Sequence, residues 1–248
     1  MLAEEDALRI ADGFAQAVHA SHPDEVVAVV LVGSLPVGDY IPGRSDIDTV
    51  VVVTDECPPS VCEDIQAMAS SLQRHHEIPK GLGAVVVTLN QLVAPLDPKL
   101  ELAPEILDVI ERGHVIAGRL DISSIRTPTE ADFRAYCKEF IPWLRRERRD
   151  PDRPAANRTP DANVNSLLYE LRLAVLALRG RYVLRKRTVI PAFLACDPAI
   201  PESARQTLEQ IHQYVLGHVP TPDNATIDRI RDAVERYNDL VAAWAFPG

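Results

Sequence analysis

The chain has 248 residues, of which 46% are hydrophobic and 25% are charged, and its formal net charge is −10. This length suits one large domain or two modest domains, and the composition is ordinary for a soluble globular protein. The acidic balance argues against nonspecific binding of nucleic acid or membranes by the whole surface. No apolar run approaches the length of a membrane span, and the first ten residues lack the pattern of a signal peptide.

The cysteines indicate the redox environment that we expect. The chain contains Cys57, Cys62, Cys137 and Cys196. Their spacing matches no common zinc-binding pattern. We therefore expect reduced thiols and a cytoplasmic protein.

The first elements are a helix and two strands. Residues 4–20 place apolar side chains at helical spacing and predict an amphipathic helix. Residues 26–32 form an apolar run rich in β-branched residues, which predicts a buried strand ending on Gly33-Ser34. The turn-rich residues 35–45 then lead into Asp46-Ile47-Asp48 and a second apolar run through Val53.

Asp46 and Asp48 are the first candidate functional residues. Residues two apart share one face of a strand, so we expect both carboxylates on one side and Ile47 on the other. Two carboxylates on one face suit Mg²⁺, which favours carboxylates together with substrate phosphates. Gly33 lets a phosphate approach the backbone closely, and the Ser34 hydroxyl can donate to it. A lone Asp-x-Asp beside a strand is more often a solvated turn, but here it follows a strand and a Gly-Ser turn.

The remainder of the first half predicts more helices and strands. Residues 61–72 predict a helix, and residues 81–89 predict a third strand. The mostly helical stretch 98–112 carries Glu101, Glu105 and Asp108, which either face a cleft or form a solvated helix face. Residues 114–117 predict a short edge strand.

The second half predicts helices only. Ser, Pro and Thr residues near positions 121–130 are typical of a linker, so we predict one domain over residues 1–122 and another over 123–248. The predicted helix 129–149 ends in four arginines, which form either a solvated helix end or a phosphate-facing surface. Residues 165–179 are apolar almost all round, which predicts a helix buried in a bundle. Arg172 on its flank then requires an anionic partner, because burying an unpaired charge is costly.

The arrangement of strand, Gly33-Ser34, Gly/Pro connection and Ser-Asp-Ile-Asp resembles the nucleotidyltransferase superfamily that includes DNA polymerase beta. Within it, the pattern G-S-x-x-x-G…P-x-x-S-D-I-D looks most like the adenylyltransferases that modify streptomycin and spectinomycin. The spacing from Arg172 through Gly180 to Lys186 resembles their carboxy-terminal helical domain. The resemblance implies an α+β amino-terminal nucleotidyltransferase domain with a mixed sheet, followed by an all-α helical bundle.

The resemblance also implies a reaction and its residues. It implies Mg²⁺-dependent transfer of AMP from ATP to a hydroxyl of a small molecule, such as an aminoglycoside, and hence antibiotic resistance. Asp46 and Asp48 would be catalytic metal ligands, and Glu101 and Glu105 would lie near acidic positions of the substrate cleft as candidate catalytic groups. The nucleotide-binding residues that it implies are Gly33, Ser34, Ser45, Asp46, His212 and Tyr237.

The chain departs from the family in three places. The third strand of the family carries a carboxylate that serves as the base, whereas the matching stretch here supplies Gly83 and Ala84. His212 replaces a basic residue associated with the nucleotide. Arg187 and Pro191 stand where the streptomycin enzymes have acids that contact the cationic antibiotic, so an anionic acceptor is an alternative.

These departures leave two other functions open. The first is a catalytically impaired nucleotide-binding protein that acts as a sensor or interaction module. The second is a nucleotidyltransferase acting on a tRNA or a protein, for which the arginines near residue 149 are the cue.

Overall fold

The computed structural model describes residues 2–78, 80–93, 103–149, 159–196 and 200–245. The chain divides into two compact units, and the division falls between Pro128 and Thr129. It comes a little after the boundary that the sequence predicts between residues 122 and 123. The reason is that Ile125 is buried in the core of the first unit, while the backbone N–H of Arg126 donates to the Leu92 carbonyl at 3.2 Å.

The first unit combines four helices with four strands among the described residues. In chain order these are α1 (Glu4–Ser21), β1 (Val26–Val32), β2 (Ile47–Val53), α2 (Pro59–His75), β3 (Leu82–Thr88), α3 (Leu89–Val93), α4 (Ala103–Arg112) and β4 (His114–Gly118). Short 3-10 turns at Leu35–Val37 and Ile122–Ser124 complete it. The predicted strands and the short edge strand after Gly113 are all present.

The strands form one mixed sheet in the order β3-β2-β1-β4. Strand β1 runs antiparallel to both β2 and β4, whereas β2 and β3 are parallel and joined through α2. The antiparallel pairing brings the end of β1 beside the beginning of β2. This places the Gly-Ser turn next to Asp48.

Both faces of the sheet are covered, which explains why β1 and β2 are apolar throughout. Val29 and Leu31 pack into a core with α1 and α2, and Ile47 belongs to the same core. Val30 and Val32 pack on the opposite face, in a core that includes residues of α4. Asp48 alternates with Ile47 along β2, so it lies on the side of the sheet opposite Ile47, as the pattern predicts. The structure shows that α4 covers this side.

The second unit is helical throughout its described residues. Its helices are α5 (Glu130–Arg149), α6 (Pro160–Arg179), α7 (Lys186–Leu194), α8 (Glu202–Val215) and α9 (Asn224–Ala245). Helix α6 packs against both α7 and α9 and is buried along most of its length, as its composition predicts. It begins earlier than residue 165 because the Thr159 side chain accepts the Ala162 N–H at 3.2 Å and Pro160 occupies the first turn. None of the helices described here is both long enough and apolar enough to cross a membrane.

Gly113 joins α4 to β4 at the point where the helix packs on the sheet. A Cβ atom at this position would lie 2.4 Å from the Val109 carbonyl oxygen and 2.9 Å from Cγ1 of Val30. Backbone therefore blocks any side chain here, and glycine lets the end of α4 approach β1 closely.

We expect Gly113→Ala to lower the free energy of unfolding by about 1–3 kcal/mol, because the added methyl group overpacks the helix against the sheet. The matched control is Gly13→Ala in α1, where a Cβ atom would meet nothing within 4 Å. That change should instead stabilise the chain by about 0.5–1 kcal/mol, since alanine is the better helix former. Urea unfolding of both variants measures the difference, and equal effects would contradict the close packing.

Candidate functional site

Gly33 and Asp48 form the centre of the candidate site. Val32 pairs with Asp48 across the antiparallel strands, so Gly33, the residue after β1, lies beside the beginning of β2. Gly33 has φ of +79°, and a Cβ atom there would lie 2.4 Å from Oδ2 and 3.1 Å from Cβ of Asp48. Both the left-handed backbone and the space taken by the carboxylate require glycine at this position.

Strand β3 supplies the third side of the site. Gly83 pairs with Asp48 in the parallel register, and a Cβ atom on Gly83 would lie 3.5 Å from Oδ1 of Asp48. The neighbouring Ala84 is buried in the opposite core. Gly83 is therefore the residue of β3 that borders the carboxylate, and the β3 position beside Asp48 carries no acid.

Asp46 lies just before β2 and acts on a buried tyrosine. Tyr40 is only 5% exposed, and burial, then the charges of Asp46 and Glu4, raise the pKa of its phenol. The Asp46 carboxylate is therefore close enough to Tyr40 to act on it electrostatically. Ser45 closes the preceding loop, because its hydroxyl oxygen accepts the Ile41 N–H at 3.0 Å.

Ser34 presents a hydroxyl that the described residues leave unsatisfied. Its Oγ atom is buried and has no hydrogen-bond partner, although its carbonyl oxygen accepts the Asp39 N–H at 2.9 Å. A buried hydroxyl without a partner costs free energy. An oxyanion bound at this turn would remove that cost.

Asp108 of α4 contacts the glycine turn from the other side. Its Oδ2 atom accepts the Gly33 N–H at 3.2 Å. Arg112, one turn later, donates through Nε and Nη2 to the two carboxylate oxygens, each at 2.5 Å. The two side chains are only 15% and 10% exposed, so this is a nearly buried ion pair. The sequence predicts that Asp108 lies on a helix, but no local pattern in it indicates this long-range contact.

The Asp108 contact changes the role that Gly33 can play. Its N–H already has an acceptor, so the residue contributes mainly through the room that it leaves for Asp48. The phosphate donor that the turn offers is the Ser34 hydroxyl.

The other predicted site residues lie elsewhere. Glu105 is half-buried in the first turn of α4, three residues before Asp108 and on its face of the helix. Glu101 lies outside the described residues. Tyr237 and His212 belong to the second unit, where Tyr237 packs edge-on against Phe193 with ring centroids 5.1 Å apart. Burial, and then the charge of His218, lower the pKa of His212, so this imidazole is neutral at pH 7.

Asp46 and Asp48 are the candidate ligands for a divalent cation that is shared with a substrate. Among the described residues, no cluster of three or more His, Cys, Asp or Glu side chains could hold a metal ion. Asp46 and Asp48 offer carboxylate oxygens, and Mg²⁺ normally completes its octahedron with phosphates and water. The residues present therefore fit a metal that arrives with a phosphate-bearing substrate.

Comparison with known families gives one match within the first unit. Residues 12–113 match the family model for a nucleotidyltransferase domain. This segment is therefore similar to nucleotidyltransferase domains. It contains β1, β2 and β3 and every residue of the site described above, from Gly33 to Arg112. The resemblance that the Gly-Ser turn and the two aspartates predict is thereby confirmed.

A solved structure extends the likeness beyond this domain. The chain is similar to the crystal structure of spectinomycin adenyltransferase AAD(9) from Enterococcus faecialis, which was determined with ATP and spectinomycin. The TM-score is 0.63 at 14% sequence identity, and the match covers 94% of this chain and 98% of that one. The fold class of a nucleotidyltransferase domain followed by a helical region is confirmed. No curated protein sequence matches the chain significantly.

Removing the charge of Asp108 should destabilise the chain strongly. We expect Asp108→Asn to lower the free energy of unfolding by about 3–5 kcal/mol, because it leaves the Arg112 guanidinium nearly buried without a counter-ion. The matched control is Glu130→Gln, which removes the carboxylate of the exposed Arg134–Glu130 pair with the same spacing on α5. That change should cost less than about 1 kcal/mol.

Denaturant unfolding of both variants provides the measurement. The double variant Asp108→Asn with Arg112→Met should recover most of the loss, since it removes the uncompensated charge. Equal costs for Asp108→Asn and Glu130→Gln would contradict the buried ion pair.

Proposed function

We propose that the chain is a Mg²⁺-dependent adenylyltransferase that moves AMP from ATP to a hydroxyl group of a small molecule. The observation that carries the proposal is the packing of Gly33 against Asp48 within a nucleotidyltransferase domain. The structure of the similar AAD(9) enzyme was determined with ATP and spectinomycin, which supports a nucleotide and a small-molecule acceptor as the two substrates.

The carboxylates and the turn have distinct roles in this proposal. Asp46 and Asp48 hold Mg²⁺, which, when bound, neutralises charge on the phosphates. Ser34 donates its unsatisfied hydroxyl to a phosphate oxygen, and Ser45 keeps the loop before Asp46 closed. The acceptor oxygen forms a bond to the α-phosphorus of ATP. At the same time the bond from the α-phosphorus to the oxygen that bridges it to the β-phosphorus breaks, and pyrophosphate leaves.

The proton of the acceptor hydroxyl needs a base, and β3 provides none beside Asp48. We assign this role to Glu105 or Glu101, which the resemblance places near the substrate cleft. Asp108 is the less suitable base because Arg112 and the Gly33 N–H already engage its carboxylate. Glu105→Gln should therefore keep ATP binding and reduce turnover.

His212 and Tyr237 remain proposed nucleotide contacts from the second unit. The lowered pKa of His212 means that its imidazole would contact a phosphate as a neutral hydrogen-bond donor rather than as a cation at pH 7.

We propose an aminoglycoside as the first acceptor class to test, and an anionic small molecule as the alternative, because Arg187 replaces a family acid. All four cysteines are free, in keeping with the proposed cytoplasmic location.

A catalytically impaired nucleotide sensor is the second candidate, and Gly83 is the observation that favours it. A protein of this kind would bind ATP through Asp46, Asp48 and the glycine turn without transferring AMP. The tRNA or protein alternative depends on the arginines near residue 149, whose side chains lie outside those that the structure describes.

Gly33→Ala tests the site through nucleotide binding. The added methyl group would displace the Asp48 carboxylate, so we expect the affinity for ATP in the presence of Mg²⁺ to fall by at least about tenfold. The matched control is Gly38→Ala, since Gly38 also has a positive φ, +67°, but a Cβ atom there would meet nothing within 4 Å. Calorimetry should show near-normal binding for this control. Equal losses in both variants would mean that backbone strain, rather than the place of Asp48, determines binding.

Asp48→Asn tests the chemistry. We expect it to abolish pyrophosphate release in the presence of ATP, Mg²⁺ and a panel of aminoglycosides, because one metal ligand loses its charge. The matched control is Asp12→Asn on the exposed face of α1, which should leave release unchanged.

The same assay separates the two candidate functions. If the wild-type chain releases pyrophosphate and the Asp48→Asn variant does not, the chain is a transferase. Mg²⁺-dependent ATP binding without release from any acceptor, neutral, cationic or anionic, would favour the sensor instead.

A further inference from the structure

We propose that the second unit contains an oxyanion-binding site formed by Arg172 and the amino-terminal end of α7, which receives a carboxylate or phosphate group of a ligand. The site does not depend on the proposed transfer reaction. It follows from a buried cation that lacks a counter-ion among the described residues.

Arg172 is buried in the middle of α6 and is only 7% exposed. Its Nη2 atom donates to the Leu184 carbonyl oxygen at 2.7 Å, and its guanidinium carbon lies 5.1 Å from the centroid of the Tyr169 ring. The Nε atom is buried and has no hydrogen-bond partner in the part of the chain that the structure describes. A carbonyl dipole and an aromatic face reduce the cost of burying this charge, but neither neutralises it.

No described carboxylate pairs with this guanidinium. Glu170 is also buried, but it is two positions away along α6 and therefore points to a different side of the helix. A buried arginine is normally compensated by an anion with good geometry. The expectation of an anionic partner for Arg172 is thus not met by the described residues, and a ligand can supply it.

The amino-terminal end of α7 lies close to this cation. The carbonyl of Leu184 accepts from Arg172, and Leu184 immediately precedes Arg185, which occupies the N-cap position of α7. The Arg185 side chain makes no hydrogen bond to the first turn of the helix. The amino-terminal end of a helix favours negative charge through its backbone N–H groups and its dipole, so it complements Arg172.

The surrounding sequence carries charge of one sign. Residues 173–196 contain five basic residues and no acidic residue. The basic residues are Arg179, Arg181, Arg185, Lys186 and Arg187. A planar guanidinium beside a helix end can bind two oxygens at once, which is the geometry of carboxylate and phosphate groups.

Thermal unfolding in matched salts tests the site on the full chain. Inorganic phosphate or acetate should raise the melting temperature of the wild-type chain by about 2–4 °C at ten times its dissociation constant, relative to chloride at equal ionic strength. The phosphate and acetate arms distinguish the two kinds of oxyanion. Identical melting temperatures in all three salts would overturn the proposal.

Arg172→Met should abolish this shift and melt close to the wild-type chain in chloride, because it removes a charge that lacks its partner. The matched control is Arg179→Met, since Arg179 lies on the same helix and donates to the Ala195 carbonyl at 2.7 Å but is exposed. This control should keep the full shift. A full shift in Arg172→Met would overturn the assignment.

Arg172→Lys tests whether Arg172 binds the oxyanion if the Arg172→Met variant does not fold. Lysine keeps the charge but cannot offer a planar fork, so the affinity for phosphate or acetate should fall at least threefold. Unchanged affinity in a folded lysine variant would also overturn the proposal.

Discussion

The site depends on the absence of a side chain at Gly33. Strand β1 ends there with a positive φ, and the carboxylate of Asp48 occupies the place that a Cβ atom would take. The antiparallel pairing of β1 with β2 creates this contact, because it brings Val32 opposite Asp48. Each strand is buried on both faces, so the pairing cannot slip without exposing valines to water. The cores of the first unit therefore hold the turn and the carboxylate together.

Helix α4 adds a second constraint from outside the sheet. Its Asp108 holds the Gly33 N–H, and Arg112 neutralises that carboxylate within one helical turn. The pair is internally balanced, so it fixes the turn without adding net negative charge beside Asp46 and Asp48. The approach of α4 depends on Gly113, where backbone and Val30 leave no room for a side chain. Two glycines distant in sequence thus position one carboxylate and the helix that supports it.

Much of this arrangement was predictable from local patterns. The apolar runs predict β1 and β2, and the alternation of Ile47 with Asp48 predicts which side of the sheet carries the carboxylate. The contact of Asp108 with Gly33 was not predictable, because it joins residues 75 positions apart and depends on how α4 packs on the sheet. The family resemblance indicates Gly83 and Ala84 at the position of the missing acid, and the register of the two parallel strands shows that Gly83 is the one beside Asp48. The early start of α6 depends on the Thr159 cap, which the apolar pattern does not include.

The two units differ in how their charges are satisfied. In the first unit the nearly buried Arg112 has a carboxylate partner in the preceding turn. In the second unit the partners of the buried Arg172 among the described residues are a carbonyl oxygen and an aromatic ring. A buried charge without a counter-ion is an expected feature of a ligand site, because burying it costs free energy in the unliganded protein. A ligand of opposite charge removes that cost when it binds, which adds to its affinity.

The most direct test of a metal–nucleotide site at Asp46 and Asp48 is a calorimetric titration of the wild-type chain with ATP, in Mg²⁺ and then in a chelator. We expect one ATP to bind per chain in Mg²⁺ and little or none to bind in the chelator, because Asp46 and Asp48 repel the phosphates unless a cation lies between them. Equal affinity in both conditions, or no binding in Mg²⁺, would contradict a metal–nucleotide site at these two carboxylates.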